Sequence, residues 1–261
     1  MGIEYNAVRI LKLAKSKNII FDKVATIGRQ GLHIKLKNIK KILEGDLSSL
    51  KDQPYSENLF KILGTKEINS FDYSNYEHCT FVCDMNKDID NKFKNKYDLV
   101  FDGGTLEHVF NFPVAIRNCM EMLKVGGHFI SVTCCNNFSG HGFYQFSPEL
   151  FFRIFNQDNG FEMLNLFISE NNIWYEVKDP EDVKSRVIFR NNHETYLLIL
   201  AKKVAERNIF QINPYQSDYV SLWKDQNIEK INLFRKIIRK FRDLFYRYFV
   251  KYDKRFFTKI N

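Results

Sequence analysis

No run of about 18 uncharged apolar residues occurs in the 261-residue chain, so no segment is built to cross a bilayer as a helix. The start, MGIEYNAVRILKLAKSKN, lacks the basic opening, apolar centre and small-residue cleavage site of a secretory leader, and Asn6 stands where a myristoylation signal places Ser or Thr. Cysteine is scarce: Cys79, Cys83, Cys119, Cys134 and Cys135 form an odd set without C-x-x-C spacing, which excludes a disulfide framework. His78, Cys79 and Cys83 have no second ligand pair, so no metal site is expected. Internal repeats and low-complexity tracts are absent. A reduced, cytoplasmic protein is expected, in solution or peripheral at the inner face of a membrane.

What is present is charge, unevenly placed. The net charge is +8, and from residue 226 onward eleven Lys and Arg stand against three acids, so the tail alone holds all of it. The remaining residues balance at 28 basic and 28 acidic. Within the tail Ile231, Phe234, Ile238, Phe241, Phe245 and Tyr248 recur at helical spacing, with Arg235, Lys236, Arg239 and Arg242 between them. A basic amphipathic helix is expected there, which suits docking on the protein's own body, a second subunit or other protein partner, a membrane surface or a nucleic-acid backbone. The neutral body argues against a nucleic-acid groove.

The rest of the chain alternates strand-like and helix-like stretches. An amphipathic first helix over 1–22 leads to IIFDKVATIGRQG, an apolar run closed by Gly28 and Gly31. Residues 32–66 have a helical period and are expected to form an insertion or lid. INSFDYS carries Asp72 near its end, CTFVCDMN carries Asp84, and YDLVFDGGTLEHV is an apolar run broken at Asp102, Gly103 and Gly104. A helix to Leu123, the Gly-Gly turn of KVGGHFISVTCCNN, a helix near 147–156, a strand near 161–168 and a last strand TYLLILAKK complete the pattern. Such alternation predicts a mostly parallel sheet covered on both faces.

The segment YDLVFDGGTLEHVFNFPVAIRNCMEMLKVGGHFISVTCC resembles the core of class I S-adenosylmethionine-dependent methyltransferases, and the likeness extends over about residues 23–204. NNFSGHGFYQFSPELFFRIF is similar to a segment of methyltransferases from surface-polysaccharide and glycan loci. The resemblance implies an α/β, Rossmann-like methyltransferase fold with a mostly parallel seven-stranded sheet, the last strand antiparallel, plus the C-terminal basic helical extension. It implies a catalytic domain over 23–205, a first helix before it and a tail over 206–261. The chain departs from the superfamily at its glycine loop, where Gly28-Arg29-Gln30-Gly31 replaces G-x-G-x-G.

S-adenosylmethionine is then the expected cofactor, with no metal. Ligands of open α/β sheets settle beyond the carboxyl ends of the strands. Gly28 would permit close backbone approach, Arg29 or Gln30 would bond the cofactor's carboxylate, Asp72 beside Tyr73 would accept from the ribose hydroxyls, and Asp84 would accept from the adenine amino group with Met85 against the ring. Asp102, Gly103 and Gly104 would face the sulfonium, with Asp102 alternatively ordering the loop, and Thr105 is a weaker candidate. For a hydroxyl acceptor a base is useful; His141, between Gly140 and Gly142, is the first choice and His108 the second. Glu107, Tyr144 and Gln145 are expected at the acceptor, Glu107 alternatively serving the start of a helix.

The expected activity is O-methylation of a small or sugar-like acceptor in surface-glycan biosynthesis. N-methylation of a small or phosphorylated amine, methylation of RNA or protein, and a non-catalytic binding module are the alternatives. A homodimer is a further expectation.

Overall fold

The computed structural model describes residues 2–224, 241, 244–245 and 251–260. In chain order it places β1 (Gly2–Ile3), α1 (Tyr5–Ser16), β2 (Lys23–Ile27), β3 (Gly31–Leu32), α2 (Leu36–Ile39), α3 (Glu57–Ile62), β4 (Glu67–Asp72), β5 (Phe81–Val82), β6 (Tyr97–Asp102) and α4 (Phe112–Met122). β7 (Leu123–Asn136), α5 (Pro148–Ile154), β8 (Phe161–Glu170), β9 (Ile173–Val177), α6 (Pro180–Val183), β10 (Thr195–Lys203), α7 (Ser217–Lys224) and β11 (Phe257–Ile260) follow.

The apolar runs become strands buried on both faces. Along β6, Tyr97 and Val100 enter the core under α4 and α5, while Leu99 and Phe101 enter the core under α1. β10 alternates likewise, Leu197 and Ile199 to one side and Leu198 and Leu200 to the other. A strand covered twice needs no polar face, so it reads as continuous hydrophobic sequence. Residues 32–66 do not stand off as a lid: Ile39, Ile42, Leu43, Leu47, Leu50, Leu59 and Phe60 are buried beside α1 and help cover the sheet.

The sheet is larger and more mixed than expected. Its order is β11-β9-β8-β10-β7-β6-β2-β4-β5, nine strands, with β1 and β3 forming a separate parallel pair. From β5 to β7 every neighbouring pair is parallel, and from β7 to β11 every pair is antiparallel. The Rossmann-like half is therefore as expected, and the mostly parallel seven-stranded description is corrected. The cause is local at β8–β9: Glu170 pairs with Ile173 across Asn171 and Asn172, whose φ of +51° and +64° make a two-residue hairpin turn matched to strand twist.

The end of the chain is part of the core. β11 pairs with β9, Phe256 and Phe257 are buried, and Tyr252 stacks on Tyr175 at 4.1 Å while its hydroxyl donates to Glu170 Oε2 at 2.6 Å. A tail that is helical to its end is thus corrected: Phe257–Ile260 is a strand paired antiparallel with β9 from Val177 to Trp174. Most of the expected basic helix lies outside the described residues; of its positions Phe241, Leu244 and Phe245 are helical and exposed. Among the described residues no helix is long and apolar enough to cross a membrane.

Candidate active site

After β2 the chain proceeds to β4 and β5 on one side, then returns to lay β6 and β7 on the other. The loops 28–31 and 103–105 therefore diverge at one point of the sheet edge, where α/β sheets hold their ligands. Gly28 has φ of +75° and donates its amide to Phe71 O at 2.6 Å, while Arg29 N donates to Asp72 Oδ2 at 3.1 Å. Thr105 Oγ1 donates to Ile27 O at 2.6 Å and ties the two loops together.

The two polar residues of the glycine loop are committed elsewhere. Arg29 Nε donates to Glu57 Oε1 at 2.7 Å, Nη1 donates to Glu77 O at 2.6 Å, and the guanidinium lies 3.9 Å from the centre of the Tyr55 ring. A cation satisfied on three sides is not a free partner for a carboxylate. Gln30 is 1% exposed and donates Nε2 to Ile27 O at 2.5 Å. Its Oε1 is buried without a partner and lies against Gly103, where a Cβ would collide with it. Such an orphaned acceptor costs about 1–3 kcal/mol until a donor reaches it.

Asp72, at the end of β4, is half-buried, and the neighbouring Tyr73 is exposed. Asp84 lies two residues beyond β5; its Oδ1 accepts from Asn86 N and Nδ2, and these bonds hold the carboxyl below the usual carboxylate range. Met85 is buried in the core under α4, so its side chain belongs to the packing. Asp102 is fully buried, with Oδ1 accepting from Thr105 N at 2.9 Å and Oδ2 from Ser131 Oγ at 2.7 Å. It orders the loop from beneath.

Burial, and then the nearby Glu107, push Asp102 up to about 7. Burial raises Glu107 as well. A carboxyl that keeps its proton in the native state while the unfolded chain has lost it contributes stability at low pH that disappears as pH rises from about 4 through about 7. Asp102→Asn is expected to flatten that fall. In thermal unfolding across pH 4–8 the gap between variant and native chain should shift in the variant's favour as pH rises; parallel curves would refute it. His128, buried in β7 and lowered to about 4, adds an opposite slope in both proteins and cancels in the comparison.

Glu107 is not at a helix start. It lies in the single 3-10 turn Leu106–His108, 2% exposed, with Oε2 accepting from Thr133 Oγ1 at 2.9 Å. Its backbone carbonyl accepts from Phe143 N at 2.8 Å and Tyr144 N at 3.3 Å, which docks the loop after β7 onto it. Gly142 permits this approach: its φ is +68° and a Cβ would sit 2.8 Å from that carbonyl. The docked loop brings His141 Nε2 to 3.7 Å from Glu107 Oε1 and the His141 ring to 4.8 Å from that of His108, edge to face. Both imidazoles are exposed, and partial burial lowers His108 below the ordinary histidine value.

Tyr144 and Gln145 use their polar groups on the loop itself. The Tyr144 hydroxyl donates to Phe110 O at 2.6 Å, and Gln145 Oε1 accepts from Phe138 N at 2.8 Å. Phe110 and Phe143, absent from the expected site residues, are 72% and 66% exposed with ring centres 5.9 Å apart, each two positions beyond one of the histidines. The signal available was a large apolar residue two positions after each histidine in a loop; exposed pairs of this kind mark contact surfaces.

No family model matches the sequence, and no curated protein matches it. Solved structures do match in shape. A methyltransferase of Bacillus halodurans, described as putative by those who solved it, aligns with a TM-score of 0.45 and 13% identity over 78% of this chain and 100% of that one. The branched-chain polyamine synthase of Thermus thermophilus aligns at 0.43 and 12% identity over 78% of this chain and 57% of that one, so the chain spans little more than half of it. The N-methyltransferase NodS of Bradyrhizobium japonicum, solved with S-adenosyl-L-homocysteine, aligns at 0.44 and 12% identity over 77% of this chain and 86% of that one.

Proposed function

We propose that the chain transfers a methyl group from S-adenosylmethionine to a hydroxyl of a small, sugar-like acceptor, as in surface-glycan biosynthesis. The observation that carries this reading is the reversal of strand order between β2 and β6, from which two glycine-bearing loops depart, with Asp72 at the end of the neighbouring β4 and Asp84 just beyond β5. The residues present fit the cofactor. Gly28, at φ of +75° in the turn after β2, carries no side chain to keep a ligand from the backbone, Asp72 offers acceptors for the ribose hydroxyls and Asp84 one for the adenine amino group. The orphaned Gln30 Oε1 supports the reading, because the cofactor's ammonium is a donor of the kind it lacks. When bound, S-adenosylmethionine supplies a methyl carbon already activated by positive sulfur.

The protein's own part is alignment and removal of a proton. His141 takes the acceptor's proton at Nε2, and the Glu107 carboxylate at 3.7 Å favours the imidazolium that results. His108 stands beside it as the second proton acceptor. Phe110 and Phe143 present apolar surface against which a ring can lie.

Calorimetry with S-adenosylmethionine and S-adenosylhomocysteine should show both binding, and failure of both would end the proposal. Transfer of labelled methyl is then followed to sugar nucleotides, phosphorylated sugars, small amines and RNA. With a hydroxyl acceptor, His141→Ala should slow turnover by about 100-fold or more with cofactor affinity unchanged. Unaltered turnover in both His141→Ala and His108→Ala would show that the acceptor needs no base, as an amine allows.

A further inference from the structure

The Glu107, His108 and His141 side chains form, among the described residues, the one grouping of three ligating groups whose donor atoms all lie within 4.8 Å of one another. Residues 107 and 108 reach it from the turn after β6, and residue 141 from the loop after β7. We propose that this cluster is a binding site for a divalent transition cation of the zinc type. The inference goes beyond methyl transfer and stands on the donors alone.

The carboxylate is the fixed member. Glu107 is buried, its Oε2 is occupied by the Thr133 hydroxyl, and its Oε1 is the oxygen nearest His141 Nε2. A ligating carboxylate oriented by a hydroxyl behind it is the arrangement by which metal sites hold their ligands. Gly104 leaves that oxygen space: with φ of +87° it carries no side chain where a Cβ would stand 3.0 Å from Glu107 Oε1. The imidazoles are the adjustable members. Bonds of about 2.0–2.2 Å to zinc set donor atoms roughly 3–3.5 Å apart, so from separations of up to 4.8 Å the histidines must close by up to roughly 1.8 Å, which exposed side chains do by rotation.

The donor set decides the class of ion. Two imidazoles and one carboxylate suit zinc, cobalt or nickel, whereas magnesium and calcium prefer oxygen throughout. Three protein ligands leave a coordination position open. Ligation uses the same imidazole lone pairs that accept a proton, so cation and histidine base exclude each other here. Occupancy converts His141 from base to ligand.

The test is calorimetric titration of the chelator-treated, full-length protein with zinc sulfate near pH 7.5, without cofactor or acceptor. Near one equivalent should bind, undisturbed by excess magnesium. His108→Ala and His141→Ala, both changes at exposed side chains, should each weaken binding by about 100-fold or more, and Thr133→Val by about tenfold. His193→Ala should leave it unchanged. Absence of zinc binding, or tight binding that survives both histidine changes because the cysteines carry it, would overturn the proposal. Because the titration contains no cofactor, its failure leaves the methyltransferase reading intact, and loss of cofactor binding leaves the zinc site intact.

Discussion

Deleting residues 251–261 is expected to lower thermal stability by well over 10 °C, or to abolish folding, although the segment is the last stretch of a strongly basic tail. Phe256 is fully buried and Phe257 nearly so, both in the core under α4 and α5. Truncating a buried Phe costs about 3–5 kcal/mol, and two such losses approach the whole stability of an ordinary domain, about 5–15 kcal/mol. The deletion also strips β11 from β9 and leaves Glu170, which is buried, without the Tyr252 hydroxyl and the Lys251 ammonium. Each is an unmet polar cost. Because the shortened chain is expected to be hard to purify, Phe256→Ala supplies the measurable version, with a melting temperature lower by about 10 °C at 2–4 °C per kcal/mol. A shortened chain that melts within about 2 °C of the full one would show that the segment is an appendage after all.

Asp72→Ala should weaken S-adenosylhomocysteine binding by about 100-fold, through two losses. If Asp72 holds the ribose, as proposed, its hydroxyls lose a charged acceptor, at about 1.5–3 kcal/mol per bond, where 1.4 kcal/mol is a factor of ten. Arg29 N loses the partner that shapes the loop at Gly28. Asp72→Asn separates the two: its one carbonyl oxygen still accepts from Arg29 N, so the loop keeps its form while the ribose site loses charge. The asparagine variant should fall between native and alanine variants in calorimetry, with a melting temperature close to native. Equal affinity in all three would move the ribose site away from Asp72.

How much of this was legible follows from where each residue's environment is made. The ends of β2, β4 and β6 could be read because an apolar run stops at a glycine or a carboxylate within the same few residues. The strands β9 and β11 could not. IWYEV and FTKI are short, and their alternation has meaning only beside a partner distant in the chain, although Asn171-Asn172 was a hairpin signal that local reasoning could have used. The same division runs through the site. Asp72 is positioned by its own strand, whereas Arg29 is claimed by Tyr55 and Glu57, and Glu107 is buried by Thr133. None of those three partners is a neighbour in sequence.

Residue order alone sets the alternation of strands and helices, the carboxylates at strand ends, the glycines at 28, 103, 104 and 142, and the confinement of net charge to the tail. These are properties of residue type and short-range spacing, and no partner is needed to express them. Only packing brings in the added antiparallel strands β9 and β11, the return of the chain end to β9, the burial of Glu107 and the meeting of His108 with His141 across a docked loop. Burial and proximity come from segments far apart in sequence, so they arise when the chain packs and are encoded by no single segment.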